Sequence, residues 1–126
     1  NTFLDSPRLL DRYYADRRDP LVVFAGQMTG VEGYVESTAS GYLAGVSMAA
    51  KLKGEPLPDF SRETAIGALA AYISDTSVGS FQPMNVNFGI LTPLDHRVKG
   101  KANKNLAIAQ RSLALIDQMT GQEEAT

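Results

Sequence analysis

The sequence lacks cysteine entirely, and among its 126 residues it has one histidine, His96. Without cysteine the chain can form no disulfide, no thiolate metal site and no cysteine nucleophile. A single histidine also excludes a metal site built from several histidines, so we predict no metal site. The lack of cysteine fits a cytoplasmic protein, which is the location we expect.

Long apolar runs and a large net charge are absent as well. No run reaches the roughly 18 apolar residues that a membrane span requires, so we expect no membrane partner. The formal net charge is −2, which does not indicate a nucleic-acid-binding protein. The chain is long enough for one domain with a real core. It begins with Asn1 rather than Met and shows no signal peptide, which predicts a fragment of a longer protein.

The common enzyme motifs are missing too. There is no G-x-S-x-G elbow, no G-x-G-x-x-G fingerprint and no P-loop. Glu32 and Glu36 lie one helical turn apart, but acids in a first turn more often complement the helix dipole than perform acid–base chemistry. We therefore assign no catalytic residue to this chain.

What the sequence does contain is a glycine-rich turn at residues 26–33, between an apolar run and a long helical pattern. The apolar run at 21–25 has no polar alternation, which predicts a strand buried on both faces of a parallel sheet. One strand cannot form a sheet, so we expect its neighbours in another chain or in further sequence, and self-association of the isolated chain. Unpaired N–H groups and the dipole at the following helix N-terminus would form a cradle for an electron-rich group.

Helical patterns account for most of the remaining chain. We predict a lead-in helix within residues 1–19, a strand, turn and helix over 20–54, and a mainly helical segment over 55–126. Within these segments the pattern predicts helices over about 31–53, 61–74 and 100–119. Small residues recur every fourth position in the second helix, which predicts close approach to a sheet or a cofactor. These are Gly33, Ser37, Gly41, Gly45 and Ala49.

Two further groups have both a functional and a plain interpretation. Asn85 and Asn87 alternate with apolar residues and could bind a ligand or simply satisfy their own turn. Five basic residues and no acidic one lie between Asp95 and Asp117, which could follow a phosphate backbone or form a solvated face. The five are Arg97, Lys99, Lys101, Lys104 and Arg111.

Residues 24–45, FAGQMTGVEGYVESTASGYLAG, closely resemble one family, the folate- and FAD-dependent tRNA uracil-C5 methyltransferases (TrmFO). Three more blocks strengthen the resemblance: NTFLDSPRLL at 1–10, RETAIGAL at 62–69 and FQPMNVNFGI at 81–90. The related tRNA wobble-uridine flavoproteins (MnmG, also called GidA) have a similar glycine-rich turn, but the residues after it follow a pattern that differs from residues 31–36 here.

The resemblance implies the C-terminal portion of an enzyme that forms 5-methyluridine in the T loop of tRNA. Methylenetetrahydrofolate would supply the carbon, NAD(P)H the reduction, and FAD would carry the carbon or electrons. The implied fold is α/β: a mostly helical fragment whose one buried parallel-type strand completes a Rossmann-like FAD-binding domain. The implied cofactor-binding residues are Gly26, Gln27, Thr29, Gly30, Val31, Glu32 and Gly33.

The resemblance also implies substrate-binding roles for Asn85 and Asn87, near the flavin or the folate. Lys101 and Lys104 are our candidates for contact with tRNA. The family's dinucleotide fingerprint and cysteines are missing here, so we expect the fragment to be inactive without the missing N-terminal part. The alternatives are a non-catalytic binding or interaction module on the same scaffold, or a fragment of an MnmG-type flavoprotein.

Overall fold

The computed structural model describes the backbone of residues 2–125 and the side chains of residues 2–120. Four α-helices account for most of its regular structure. They are α1 (Ser6–Leu9), α2 (Tyr34–Lys53), α3 (Ala65–Ile73) and α4 (Lys101–Ala125). Two short 3₁₀ helices, Gln27–Thr29 and Phe88–Ile90, interrupt the connecting segments. None of these helices combines the length and the apolar character needed to cross a membrane.

The α/β fold and the buried strand predicted at residues 21–25 are wrong. The described part of the chain contains only isolated bridges, and Leu21 and Val22 are 65% and 41% exposed. Among the described residues this segment forms one isolated bridge, between Val23 and Ala15. Its backbone pairs instead with the turn before it, where the Asp16 N–H donates to the Val22 carbonyl at 2.8 Å.

The first helix is a single turn, shorter than the helical spacing of its apolar residues indicated. It ends at Leu9, and the Asp11 carboxylate then accepts hydrogen bonds from the Tyr13 and Ala15 amides. These bonds stabilise a turn in which Tyr14 adopts a left-handed backbone with φ of 64°. Tyr14 is fully buried in the core, and burial raises the pKa of its hydroxyl.

The long helix α2 ends where the sequence predicts. Gly54 adopts φ of 70° and its N–H donates to the carbonyl of Lys51, a glycine cap that stops the helix. The row of small residues, however, faces outward. Gly41 and Gly45 are exposed, and within the described residues nothing lies within 4 Å of a Cβ placed on Gly45. The row therefore makes no close contact with a sheet in this chain.

The main core lies where α2 and α3 pack together, with side chains from the irregular segments around them. Its buried residues are Leu10, Tyr14, Val31, Leu43, Ala44, Leu69, Ala70, Ile73 and Phe81. The Thr64 hydroxyl caps α3 by accepting from the Gly67 amide at 3.1 Å. Helix α4 packs on the other side of α3 through a smaller cluster of Ala68, Leu91 and Ile108.

Gly30 is the position where the core depends most directly on the absence of a side chain. Its φ is 94°, and a Cβ there would overlap the ring of Phe81, which is itself buried. We expect Gly30→Ala to lower the free energy of unfolding by about 2 kcal/mol or more, because it adds both backbone strain and overpacking. Urea denaturation would measure the loss.

The matched control is Gly45→Ala in the exposed face of α2, where a Cβ meets open space. Alanine should raise the free energy of unfolding there by about 0.5–1 kcal/mol, because glycine is a poor helix former. Equal effects at the two positions would contradict this account of the core.

Candidate functional site

Three glycines with positive φ shape the glycine turn, which we define as residues 26–33. Gly26, Gly30 and Gly33 have φ of 80°, 94° and 105°, values that other residues rarely adopt. A 3₁₀ turn at Gln27–Thr29 lies between the first two, and Gly33 is the N-cap of α2. The chain thus leaves the apolar segment, turns back and enters the helix within eight residues.

Side chains from distant positions hold the glycine turn in place. The Gly26 amide donates to the Ser40 hydroxyl at 2.8 Å, and the Thr29 hydroxyl donates to the Gly26 carbonyl at 2.7 Å. The buried Ser6 hydroxyl donates to the Thr29 carbonyl at 2.6 Å. Sequence reasoning missed Ser6 and Ser40, because no local pattern shows which carbonyl or amide a serine will reach.

The candidate cofactor-binding residues divide into a buried and an accessible group. Thr29, Gly30 and Val31 are buried, so they shape the turn from inside. Gln27 and Gly33 are exposed, and Gly26 and Glu32 are partly exposed. A shallow cleft runs along the accessible side and is lined by Gln27, Gly33, Tyr34 and Ser37.

The N-terminus of α2 opens into this cleft. Gly33 has no side chain, and no side-chain hydrogen bond caps the helix among the described residues. Tyr34 and Val35, which follow, are 95% and 80% exposed. The first-turn N–H groups and the positive end of the dipole of a 20-residue helix therefore face this cleft, and the Glu36 carboxylate lies in the same first turn.

The structure brings residues 81–89, which we call the asparagine segment, against the glycine turn. The Glu32 amide donates to the Met84 carbonyl at 3.0 Å, and the Met84 amide donates to the Gly30 carbonyl at 2.8 Å. Asn85 adds a side-chain bond, with Nδ2 donating to the Glu32 carbonyl at 2.8 Å. Asn85 thus lies beside the candidate cofactor-binding residues although about 50 positions separate them.

Asn87 lies further along the same segment and has a local role. Its Oδ1 accepts from the Gly89 amide at 2.9 Å and caps the short helix Phe88–Ile90. Asn87 is exposed and forms no hydrogen bond to the glycine turn among the described residues. Its Nδ2 donates to the nearby Asn85 carbonyl at 3.3 Å. Its contacts in the described residues are those of a turn-forming asparagine.

Glu36 is a second link between the turn and the asparagine segment that sequence reasoning missed. Its Oε1 accepts from the Val86 amide at 3.3 Å. The carboxylate folds back over Gly33, where any Cβ would overlap Oε2. The glycine at position 33 therefore serves both the backbone turn and this contact. The sequence signal for this contact was a glutamate at the third position of a helix whose N-cap is a glycine.

The candidate basic residues form a separate group around α4. Arg97, Lys99, Lys101 and Lys104 are exposed. Arg111 differs, because its guanidinium donates to the carbonyls of Thr92 and Pro93 and lies 3.7 Å from Glu63. Arg111 thus ties α4 to the preceding loop, and Lys101 and Lys104 lie at the opposite, solvent-exposed start of the helix.

Comparison with known proteins gives two kinds of match. The family model described as "Glucose inhibited division protein A" matches residues 1–56. Curated proteins named "Methylenetetrahydrofolate--tRNA-(uracil-5-)-methyltransferase TrmFO" match almost the whole chain. The protein from Desulfitobacterium hafniense is 46% identical over 98% of this chain. Those from Natranaerobius thermophilus and Streptococcus agalactiae are 50% and 53% identical over 94% and 90%.

The length of these relatives limits what the match covers. The chain spans 28%, 27% and 26% of the three proteins, respectively. About three quarters of each relative therefore has no counterpart in the sequence considered.

The side-chain bond of Asn85 should stabilise the pairing of the asparagine segment with the glycine turn. We expect Asn85→Ala to speed hydrogen exchange of the Glu32 and Met84 amides about fivefold, since one net hydrogen bond contributes about 1 kcal/mol. Exchange followed by NMR would measure this. Gln110→Ala, at an exposed position of α4, is the control. Unchanged exchange in Asn85→Ala would mean that the backbone bonds alone hold the segment.

Proposed function

Since this chain belongs to the TrmFO family, we propose that it forms part of an FAD- and folate-dependent enzyme that methylates C5 of a uridine in tRNA. Family membership rests on 46–53% identity over at least 90% of the chain. The proposed substrate is a uridine in the T loop of tRNA, with methylenetetrahydrofolate as carbon donor. NAD(P)H as reductant and a cytoplasmic location belong to the same proposal.

The open N-terminus of α2 at the glycine turn is the observation that carries this proposal. A flavin has an electron-rich pyrimidine edge, and its reduced form bears negative charge there. The uncapped first-turn amides offer hydrogen-bond donors and a favourable dipole for such an edge. Of the three glycines, Gly26 leaves room for close approach, since the nearest atom to a Cβ placed there is 4.0 Å away, and it lies next to Gln27, which lines the cleft. These residues therefore fit FAD as the bound group.

Bound FAD would supply electron or one-carbon transfer, while this chain's residues would bind and orient it. Gly26 and Gly33 give backbone access, and Gln27 offers an exposed amide. The buried residues Thr29, Gly30 and Val31 keep the turn rigid from behind. Glu32 belongs to the residues that would bind FAD, and Asn85 and Asn87 would lie near the flavin or the folate. The Asn85 side chain is already held by the Glu32 carbonyl.

Chemistry on the uracil base needs groups that this chain does not contain. The chain has no cysteine and no dinucleotide fingerprint. We therefore assign the reacting groups to the remaining three quarters of a full-length relative. The chain taken by itself is proposed to be inactive and to need that remainder as its partner.

An MnmG-type flavoprotein is the second candidate. The match of residues 1–56 to the division protein A family model favours it. That match includes the glycine turn and α2 but stops before α3. The TrmFO relatives match nearly all of α3 and the asparagine segment as well, which is why we prefer the methyltransferase.

The experiment is a chimera in which this chain replaces the matching segment of a full-length TrmFO relative. We expect the chimera to bind FAD and to form 5-methyluridine in a tRNA transcript. The variant Gln27→Glu should weaken binding of reduced FAD about three- to tenfold, because it adds a negative charge beside the helix N-terminus without changing side-chain size. Spectroscopic redox titration of the bound flavin should show a lower midpoint potential.

Gln110→Glu is the matched control, because it adds the same charge at an exposed position of α4. It should leave FAD affinity and potential unchanged. If the chimera and its Gln27→Glu variant bind reduced FAD equally well, the flavin does not lie beside the glycine turn. Failure of the chimera to methylate tRNA, with FAD bound, would contradict the proposed activity.

A further inference from the structure

The loop before α4 and the first turn of α4 enclose a second cleft, separate from the glycine turn. It is lined by Pro93, Leu94, His96, Arg97, Val98 and Lys104, and we call it the basic cleft. None of these residues lines the cleft at the N-terminus of α2. Three lining residues are apolar, and His96, Arg97 and Lys104 bring nitrogen donors to one place.

The arginine and lysines in and around the basic cleft form no salt bridge within the described part of the chain. Arg97, Lys99, Lys101 and Lys104 form no ion pair among the described residues. No acidic residue occurs between Asp95 and Asp117 in the sequence. Four like charges within eight residues repel one another, and an external anion would relieve this repulsion.

The one acid beside the cleft is already engaged. Asp95 Oδ1 lies 2.7 Å from His96 Nδ1, and the hydrogen bond from His96 holds the pKa of the carboxyl below its ordinary value. This contact orients the imidazole and leaves its other ring nitrogen without a bond among the described residues. His96 can therefore donate to an anion in its protonated form.

Arg111, the fifth basic residue, does not belong to this surface. Its guanidinium donates to two backbone carbonyls, and its side chain is only 20% exposed. It fixes the loop that carries Pro93 against α4. The residue thus shapes the basic cleft without offering its charge to a ligand.

Helix α4 adds a second source of positive potential. It starts at Lys101 and runs for 25 residues, with no acid in its first turn to oppose the dipole. Lys101 and Lys104 are three residues apart and so project from one side of the helix. Lys99 and Lys101 are exposed and do not line the cleft, so their charges can meet a ligand that extends beyond it.

We propose that the basic cleft binds a phosphate of an RNA backbone, with Arg97 and Lys104 holding it and Lys99 and Lys101 contacting neighbouring phosphates. The preference for a polyanion rests on the four cations that form no ion pair among the described residues, two of which lie outside the cleft. The choice of RNA rests on the proposed function. Arg97 suits this role because a guanidinium can bind two phosphate oxygens at once.

The test uses the 126-residue chain and an unmodified tRNA transcript, with binding measured at several salt concentrations. Arg97→Gln combined with Lys104→Gln should weaken binding at least tenfold at low salt. The slope of log affinity against log salt should fall in magnitude by about 1.4–1.8, because two phosphate contacts are lost. The control combines Lys51→Gln with Lys53→Gln at the far end of α2, which makes the same change in net charge.

Three results would overturn the proposal: no binding of the transcript by the unaltered chain, an equal loss in both double variants, or an unchanged slope in the Arg97 and Lys104 variant. Binding of inorganic phosphate by a chain that does not bind the transcript would overturn the assignment to RNA. Arg111→Lys, which keeps the charge, should lower the melting temperature and leave the slope unchanged, and a reduced slope would contradict its exclusion from the surface.

The outcome is separable from that of the proposed function. Salt-dependent RNA binding by this chain, combined with a chimera that forms no 5-methyluridine, would support the cleft and contradict the methyltransferase. If the chimera methylates tRNA and its double variant at Arg97 and Lys104 binds tRNA normally, the methyltransferase proposal is supported and the role of the basic cleft is contradicted.

Discussion

The pairing of the glycine turn with the asparagine segment is the contact on which the candidate site depends. Two backbone hydrogen bonds join Met84 to Gly30 and Glu32, and the side chains of Asn85 and Glu36 add one bond each. This contact fixes the entry of the chain into α2, because Glu36 reaches across Gly33 from the first turn of the helix. It also buries Phe81 against Gly30, so the geometry of the site and the packing of the core are coupled.

Helix α2 presents two very different faces to its surroundings. The face with Ser40, Leu43 and Ser47 is buried and supports the glycine turn from behind. The face with Gly41 and Gly45 is exposed, beside Ala25, and no charged residue interrupts it from position 37 to 50. That face carries no charge and Leu21 is exposed. The chain covers about a quarter of the length of its relatives. Apolar residues thus cannot be assigned to a core without knowing what packs on them.

Local signals predicted the helices well and the extended segments badly. Gly54 ended α2 because a left-handed cap depends on that residue alone, and Thr64 capped α3 by a bond to the next turn. The strand at residues 21–25 failed because a strand needs a partner, and the pattern of apolar residues contains no information about one. The helical spacing through Tyr14 failed for a related reason, since Asp11 drew the following amides into a turn.

The sequence by itself determined the glycine turn, the C-terminal ends of α2 and α3, and the resemblance to the TrmFO proteins. Each of these depends on residues that are neighbours along the chain, so the conformational preferences of single residues and short motifs are enough to predict it. Only the tertiary structure decided that Asn85 meets Glu32, that Ser40 holds Gly26, and that Arg111 is bound inside while Arg97 and Lys104 share a cleft. Those contacts join positions up to about 50 residues apart, and their formation depends on how whole helices pack, which no local pattern specifies.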